Sequence, residues 1–184
     1  AEAAAESAVT GESSAISGTC RNNSTWVYDG DGTLTVSCTD AFDGIDLTDS
    51  ERELLYNVKK VIFESGVAEL GSRLQYVCPH YESIELPDTM ETVDRYLLIV
   101  TGGSTPIVNI SDANPYLKVS DGAILSKDGT KLFCCPAENG SDEYTVPDTI
   151  TEIYADALSH SRYKSVTIPE TVKKIGNGAL YYCY

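Results

Sequence analysis

Histidine is scarce in this chain, and its two copies are the first place to look for catalytic or metal-binding chemistry. His80 follows a Cys-Pro pair, but a structural zinc ion needs four ligands and no second Cys/His pair stands at a suitable spacing. His160 lies between two serines, yet no motif supplies the strained nucleophile turn and the oriented acid of a catalytic triad. The sequence therefore predicts a protein that is not an enzyme, with no catalytic residue, no metal site and no cofactor.

Three short motifs resemble ligand-binding or processing signals, and each lacks an essential part. Asp29–Gly32 (Asp-Gly-Asp-Gly) has neither the third acidic ligand nor the terminal glutamate of an EF-hand, so a turn is favoured. Thr101–Thr105 is glycine-rich but has no lysine and no following helix with which to hold phosphate. Leu86–Met90 resembles a sortase signal without its final glycine, and its Pro-Asp-Thr recurs at Pro147, so repetition explains it.

The chain has six cysteines, which allow 15 pairings that the sequence cannot distinguish. Cys20 and Cys38 lie on opposite arms of a predicted hairpin, and they are the best candidate disulfide. Cys134 and Cys135 are adjacent on a predicted strand and point to opposite faces, so a bond between them would be strained. For the four cysteines other than Cys20 and Cys38, the alternative is a set of buried free thiols that pack as small hydrophobic groups.

Composition sets limits on the partners. A net charge of -15 repels phosphate backbones and anionic lipid, so we expect no nucleic-acid partner and no binding to a membrane surface. No apolar run approaches the ~18 residues of a membrane span. Residues 1–16 are small and polar and are predicted to be a flexible leader, without the basic and apolar regions of a secretory signal.

Turn and capping signals define the next elements. Thr25–Tyr28 and Thr33–Ser37 are β-rich arms around the Asp-Gly turn, which predicts a β-hairpin within residues 17–47. Thr48 and Glu51 form a capping box, so a short helix is expected to follow and to end near Asn57. We expect this helix to cover the first edge of the sheet that comes next, because repeat arrays need a cap at their ends.

A repeat fills the rest of the chain, residues 48–184. Tyr144–Leu158 and Val166–Leu180 carry the same pattern at an offset of 22 residues, which lies in the leucine-rich-repeat range. Aligning the chain on this pattern gives five short strands, at Val61–Phe63, Ile84–Leu86, Val108–Ile110, Tyr144–Val146 and Val166–Ile168. Their spacings are 23, 24, 36 and 22 residues, so one interval holds an insertion.

Turns follow the strands, and four pairs of apolar residues three apart fit the buried side of a turn that leads into a second, partly helical limb. These pairs are Val67 and Leu70, Met90 and Val93, Ile150 and Ile153, and Val172 and Ile175. The insertion, at about residues 112–142, has two Asp-Gly pairs between β-prone segments and is predicted to be a small β-meander. The predicted fold class is an α/β repeat: a leucine-rich-repeat solenoid with short parallel strands, preceded by a β-hairpin and interrupted by that meander.

The repeat resembles the BspA-like leucine-rich repeats of bacterial surface proteins. The residues that match the family pattern are Val166, Ile168-Pro169, Val172, Ile175-Gly176, Ala179-Leu180 and Cys183. The hairpin and the insert also resemble parts of that family, so the resemblance covers residues ~17–184. The first two repeats depart from it at Leu74–Val77 and Tyr96–Val100, where distorted coils are expected. The chain stops one residue after Cys183 without a polar cap, so we expect a continuation, a short edge or pairing with another molecule.

The resemblance implies a secreted or cell-surface, non-catalytic protein that binds a protein or a glycan of a host or microbe in an adhesion-type interaction. The alternative is a structural spacer or assembly module of a larger surface protein. The middle residues of the five strands are expected to form one exposed row that binds the partner, or else a solvated polar ladder. This predicted row is Ile62, Glu85, Asn109, Thr145 and Thr167. Tyr154, Tyr163 and Tyr182 are expected at its margins.

Overall fold

The structure is a computed structural model that describes residues 15–19, 24–42, 44–45, 47–71, 74–98, 105–136 and 141–183. The predicted leader therefore lies outside the described residues up to residue 14. The chain opens with four strands, β1 (Ile16–Thr19), β2 (Thr25–Tyr28), β3 (Thr33–Ser37) and β4 (Asp40–Phe42). Strands β2 and β3 form the predicted antiparallel hairpin, and β1 adds to it as a third strand that the sequence analysis did not identify as a strand.

Helix α1 (Asp49–Leu55) follows, and its start is fixed by the predicted capping box. The Glu51 amide donates to Thr48 Oγ1 at 3.3 Å, and the Thr48 amide donates to the Glu51 carboxylate at 2.8 Å. These two bonds satisfy amides that the first turn of a helix leaves without partners. The helix buries Leu55 completely, which anchors it on the core.

The remaining elements come in order along the chain. The next two turns contain β5 (Lys60–Phe63), β6 (Val67–Leu70), helix α2 (Leu74–Val77), β7 (Ser83–Leu86), β8 (Thr92–Val93) and a 3-10 helix (Arg95–Leu98). The rest of the chain contains β9 (Ile107–Ile110), β10 (Leu117–Ser120), β11 (Ala123–Ser126), β12 (Lys131–Cys134), β13 (Glu143–Thr145), β14 (Glu152–Ile153), β15 (Ser165–Thr167) and β16 (Lys174–Ile175).

The first-limb strands up to β9 pair in a sheet whose order is β1-β2-β3-β5-β7-β9, with β3, β5, β7 and β9 mutually parallel. All five predicted strands lie within one residue of their expected positions. The expectation that α1 covers the first edge was wrong: β3 pairs with β5 directly, so the hairpin occupies that edge. Strand β3, strand β4 and α1 thus make a first turn, and the solenoid has about six turns where five coils were predicted.

The predicted division between a hairpin unit (17–47) and a solenoid (48–184) stays a proposal, but the two share one sheet through β3. The second limb is largely β, which corrects the expectation of a partly helical limb. It forms the parallel ladders β4-β6-β8 and β12-β14-β16, and helix appears only briefly. Helix α2 and the 3-10 helix fall where the first two repeats depart from the family pattern.

The insert forms the predicted meander, in which β10, β11 and β12 pair antiparallel. Its last strand is also a second-limb strand, because β12 pairs in parallel with β14. The first-limb sheet, in contrast, stops at β9, and β13 pairs with β15 in a separate two-stranded sheet. The insert therefore interrupts the pairing of both limbs: in the described part of the chain β9 does not pair with β13, and β8 does not pair with β12.

Two apolar clusters fill the space between the limbs. The first includes Trp26, Leu34 and Met90, and the second includes Leu132, Ile150 and Ile153. The last two turns approach each other closely at Gly176, where an added Cβ would lie 2.3 Å from the backbone nitrogen of Ala155. A larger residue there would force the turns apart, which is the physical reason for glycine after Ile175 in this pattern.

Candidate functional site

Strand pairing places the middle residues of the first-limb strands in one line. The Cα partners run from Thr35 to Ile62, from Ile62 to Glu85 and from Glu85 to Asn109. Each side chain is at least partly exposed, whereas its neighbours in sequence, such as Val61 and Ile84, are fully buried. This alternation is the two-residue period of a strand with one face on the core. We call this line of side chains the sheet-face row.

A shallow depression of about 290 Å³ lies on the row, and three of its lining residues are Ile62, Glu85 and Asn109. Its other lining residues are Phe63, Leu86, Pro87, Ile110 and Ser111. Beside it, Lys60 Nζ and the Glu85 carboxylate form an ion pair at 2.6 Å, with both side chains about 40% exposed. The exposed pair contributes little to stability but fixes a positive and a negative group at the rim of the depression.

The other two predicted residues, Thr145 and Thr167, are Cα partners on β13 and β15. Both are exposed. They form the same kind of row, but in the separate two-stranded sheet. The structure therefore brings Ile62, Glu85 and Asn109 together at one depression and keeps Thr145 and Thr167 in a second, shorter row.

The sheet-face row is longer than predicted. Val27 is the Cα partner of Thr35 and Ser17 is the partner of Val27, so the hairpin and β1 extend it. Val27 is 47% exposed, and Ile107, at the end of β9, is 66% exposed. The alternation of polar and apolar residues in the hairpin indicates which of its side chains are exposed. It does not indicate that β3 pairs with β5, so the sequence alone could not add these residues to the row.

The three tyrosines expected at the margins of the row have other surroundings. Tyr163 is buried and stacks on Tyr144 with ring centroids 5.1 Å apart, which corrects its assignment to a binding surface. Tyr154 packs on Phe133 at 4.4 Å. Tyr182 is 46% exposed and stacks on the His160 ring at 5.2 Å.

Neither histidine lies at the sheet-face row. His80 packs edge-on against Tyr56 at 4.5 Å, and His160 adopts a left-handed backbone conformation with φ of 58° next to Tyr182. Within the described ranges, no group of three or more His, Cys, Asp or Glu side chains is placed to hold a metal ion. In the same part of the chain, no helix is long and apolar enough to cross a membrane.

The thiols of four cysteines are buried. Burial raises the pKa of Cys78 and Cys134 well above the ordinary range, and it raises the pKa of Cys135 to about 12. Cys134 packs in the first apolar cluster and Cys135 in the second, so the two thiols do point to different sides. Burial also raises the pKa of Cys38. Cys20 lies outside the described residues, so its disulfide with Cys38 stays a prediction.

Parallel ladders on both limbs, repeated in turns of ~22 residues, define a leucine-rich-repeat solenoid. The model of the BspA type leucine rich repeat region matches six copies, over residues 53–109 and 130–184. This chain belongs to that family. The second matched segment begins at the start of β12, where the insert rejoins the second limb.

Three solved structures of bacterial proteins match this chain, and one of them, PcpA, is similar in fold. The pneumococcal vaccine antigen PcpA is 23% identical with a TM-score of 0.51, covering 67% of this chain and 31% of that one. A leucine-rich repeat protein from Eubacterium ventriosum ATCC 27560 is 16% identical with a TM-score of 0.46, covering 91% of this chain and 63% of that one. A leucine rich cell surface protein from Faecalibacterium prausnitzii A2-165 is 13% identical with a TM-score of 0.34, covering 90% and 73%.

This chain thus spans 63% of the Eubacterium ventriosum protein and 31% of PcpA. No curated protein matches it significantly.

Proposed function

We propose that this is a secreted or cell-surface repeat protein that binds a macromolecular partner, a protein or a glycan, through the sheet-face row. The observation that carries the proposal is the alignment of exposed and partly exposed side chains across neighbouring strands. This row runs from Ser17 through Val27, Thr35, Ile62 and Glu85 to Asn109. Neighbouring strands lie about 4.8 Å apart, so backbone pairing holds such a row rigid without help from side chains. A rigid row loses little conformational entropy on binding.

The chemistry of the row suits an extended partner. It combines an exposed aliphatic group at Val27, a partly buried one at Ile62, an ion pair at Glu85 and an amide at Asn109. The depression of about 290 Å³ is smaller than most small-molecule pockets, which enclose ~300–1,000 Å³. The surface therefore favours contact along its length over the enclosure of one small ligand. Membership of the BspA-type family and the fold shared with a vaccine antigen support an exposed location.

The proposal is tested by binding to arrays of extracellular-matrix proteins and glycans, followed by two matched double variants. Glu85→Arg/Asn109→Arg changes Cα partners on the sheet-face row, and Glu69→Arg/Thr92→Arg changes exposed Cα partners on the second-limb ladder. Both pairs change the charge by the same amount. We expect the first variant to weaken binding by at least tenfold and the second to change it less than twofold.

Two results would overturn the proposal. One is the absence of any partner above background, and the other is an equal loss of binding in both double variants, which would indicate a general charge effect.

A second candidate function, an assembly module, is favoured by the apolar face of the last turn. Ile175 and Leu180 are 50% and 45% exposed, although the equivalent Ile153 and Leu158 one turn earlier are fully buried. Within the described residues no strand pairs with the outer edges of β15 and β16. If copies of the chain stack on this face, light scattering should show association that increases with concentration. Ile175→Glu should abolish this association, and Tyr116→Glu, at another exposed apolar site, should leave it intact.

A further inference from the structure

The first-limb sheet begins with an edge strand that has a strand partner on one side. Strand β1 stands first in the order β1-β2-β3-β5-β7-β9, and among the described residues it pairs with β2 alone. Its register with β2 is continuous from Ile16 to Thr19, without a bulge. Soluble proteins commonly protect edge strands with charged side chains, proline or bulges, and β1 (Ile-Ser-Gly-Thr) has none of these.

A hydrogen bond at the hairpin turn shows how the backbone groups alternate between β2 and β3. The Asp29 amide donates to the Thr33 carbonyl at 3.1 Å, so these two residues form a hydrogen-bonded pair. Hydrogen-bonded pairs recur at every second residue of an antiparallel ladder. Val27 and Thr35 are the next such pair, which means that the N–H and C=O groups of Val27 point to β3.

The same alternation continues into β1. Since the backbone groups of Val27 point to β3, those of its neighbour Trp26 point to β1, where the Cα partner is Gly18. The backbone groups of Gly18 therefore point to β2. Those of Ser17 and Thr19 point to the other side, away from β2. Both residues are exposed, so their N–H and C=O groups are the ones with which an added strand pairs.

The outward groups of β1 are complementary to those of the same strand in a second copy. When a two-fold axis passes through Ser17, it lies opposite Ser17 of the second copy, and Thr19 lies opposite Ala15 of the second copy. All three residues have outward groups, so about six backbone hydrogen bonds form between the copies. Ile16 then lies opposite Gly18 in the non-hydrogen-bonded pairs, where side chains approach most closely. Gly18 has no side chain, so it leaves room for Ile16.

Charge also favours a second copy as the occupant of this edge. The net charge of -15 makes two copies repel each other over most of their surface. Strands β1 and β2 contain no charged residue, so two copies meet the least repulsion here. A basic partner, which the acidic chain attracts elsewhere, finds no carboxylate on these two strands.

From these observations we infer that two copies of this chain pair through β1, antiparallel and related by a two-fold axis at Ser17. The two 6-stranded sheets then become one continuous sheet. Because Ser17 is the first residue of the sheet-face row, the rows of the two copies join end to end across the axis. The pairing does not depend on what the row binds, so either proposal can fail without the other.

Sedimentation velocity of the whole chain at rising concentration, up to ~1 mM, tests the pairing. One strand from each copy buries less than the ~1,200 Å² of a stable interface, so we expect a weak dimer. Ser17→Pro removes the outward amide and keeps the hydrogen bonds to β2, because proline is tolerated where the N–H of an edge strand faces solvent. It should weaken the association at least tenfold. Ser17→Thr keeps the amide and should change the association less than twofold.

Two further measurements keep this test specific. Emission of Trp26, the single tryptophan of the chain, reports whether β1 is in place, because its indole packs against Gly18. If Ser17→Pro does not fold, Ser17→Glu replaces it, since two carboxylates then face each other at the axis and should weaken the association at least tenfold. Its control is Thr145→Glu, which adds the same charge at an exposed position of β13 and should change the association less than twofold.

Hydrogen exchange measured by NMR locates the contact. As the concentration rises, the amides of Ser17 and Thr19 should gain protection, and those of Ile16 and Gly18, which already bond to β2, should not change. The inference is overturned if the chain stays monomeric at ~1 mM, if Ser17→Pro associates like the parent, or if Ile175→Glu alone abolishes the association. Protection of Ser17 and Thr19 only when another protein is added would also overturn it, because a different partner would then occupy the edge.

Discussion

Ile153 and Ile175 are Cα partners on neighbouring parallel strands, yet Ile153 is completely buried and Ile175 is half exposed. The two residues have the same type and the same place in the repeat, but Ile153 is paired with Leu132 and with Ile175, whereas Ile175 is paired with Ile153 alone among the described residues. Their difference in burial arises because the turn after Ile153 covers it, whereas no described residue forms a further turn on Ile175. Comparing the same substitution at these two residues therefore measures how much a neighbouring turn contributes to the stability of the array.

Alanine substitution separates these two environments. Ile153→Ala should lower the free energy of unfolding by about 2–5 kcal/mol, because it leaves a cavity in a packed core. Ile175→Ala should cost only about 1 kcal/mol, because half of the Ile175 side chain already faces water. Urea denaturation of both variants and of the parent chain measures the difference. Equal losses would show that the last turn is covered in solution, for example by association with another molecule.

The first-limb strands could be predicted from the sequence because the chain repeats its apolar pattern after 22 residues. The second limb is expected to be partly helical, with Ile150 and Ile153, which are three apart, on the buried side of the turn that leads into it. In the structure Ile150 lies in a turn and Ile153 in β14, and both point into the core. Spacing alone does not separate a helical turn from a tight turn that enters a strand.

The candidate sites were less predictable than the strands, because they depend on which strands pair in the folded protein. The order of repeat strands predicted that Ile62, Glu85 and Asn109 share a line. The extension of that line through Thr35 could not be predicted, because it depends on the pairing of β3 with β5. This pairing joins residues 27 positions apart, such as Thr35 and Ile62, and no sequence repeat connects the two strands. The end of the first-limb pairing at β9, within the described residues, was not predictable either, because it occurs where the insert separates strands that the repeat pattern alone would pair.

Asn114 joins the insert to the turn after β7, and we predict that it is essential for that junction. Its side chain is fully buried, and its Nδ2 donates to the carbonyls of Pro87 and Met90 at 2.9 and 2.8 Å. Its Oδ1 accepts from the amides of Tyr116 and Leu117 at 2.8 and 2.7 Å.

Asn114→Ala leaves these four backbone groups without their partner. Since each buried unsatisfied group costs about 1–3 kcal/mol, we expect a loss of at least about 3 kcal/mol in the free energy of unfolding. Asn109→Ala, which truncates an exposed amide, serves as the control and should change stability by less than about 0.5 kcal/mol. Urea denaturation gives both values. A loss at Asn114 no larger than the control would mean that water replaces the side chain at this junction.

The buried thiols predict a graded pattern of cysteine reactivity. Only the thiolate is a strong nucleophile, and burial raises the pKa of Cys78, Cys134 and Cys135. Cys183 is less buried, and its Sγ lies 3.4 Å from Ser161 Oγ. With iodoacetamide at pH 8 under native conditions, we expect Cys183 to be labelled at least tenfold faster than the other three, as measured by mass spectrometry of tryptic peptides.

The same residues provide the control for that labelling experiment. In urea all four thiols should react at similar rates, because unfolding restores the ordinary pKa. Native labelling of Cys134 as fast as that of Cys183 would contradict its burial between the limbs. As pH rises above about 9, the unfolded thiols ionise while the buried ones do not, so the stability of the fold should also decrease.

The Asp128 carboxyl should make the stability of the fold depend on pH in the opposite direction, with a loss of stability in acid. Hydrogen bonds from the Ser126 hydroxyl, the Thr130 amide and the Thr130 hydroxyl, at 2.6, 3.0 and 2.9 Å, lower the pKa of its carboxyl from 3.8 to about 2. Because the pKa is lower in the folded state, the carboxylate stabilises the β11–β12 turn fully above pH ~4. This contribution is lost as pH falls from ~4 through ~2.

Asp128→Asn removes the titrating group and nearly preserves the shape of the side chain. Thermal unfolding from pH 6 to pH 2 should therefore show the parent more stable than the variant at pH 6, with the difference in Tm shrinking below pH 4. Asp148→Asn, on another exposed turn, is the matched control and should not reproduce this change. A Tm difference that stays constant down to pH 2 would show that the Asp128 carboxylate does not hold the turn. The acid sensitivity of the meander would then have to come from other carboxylates.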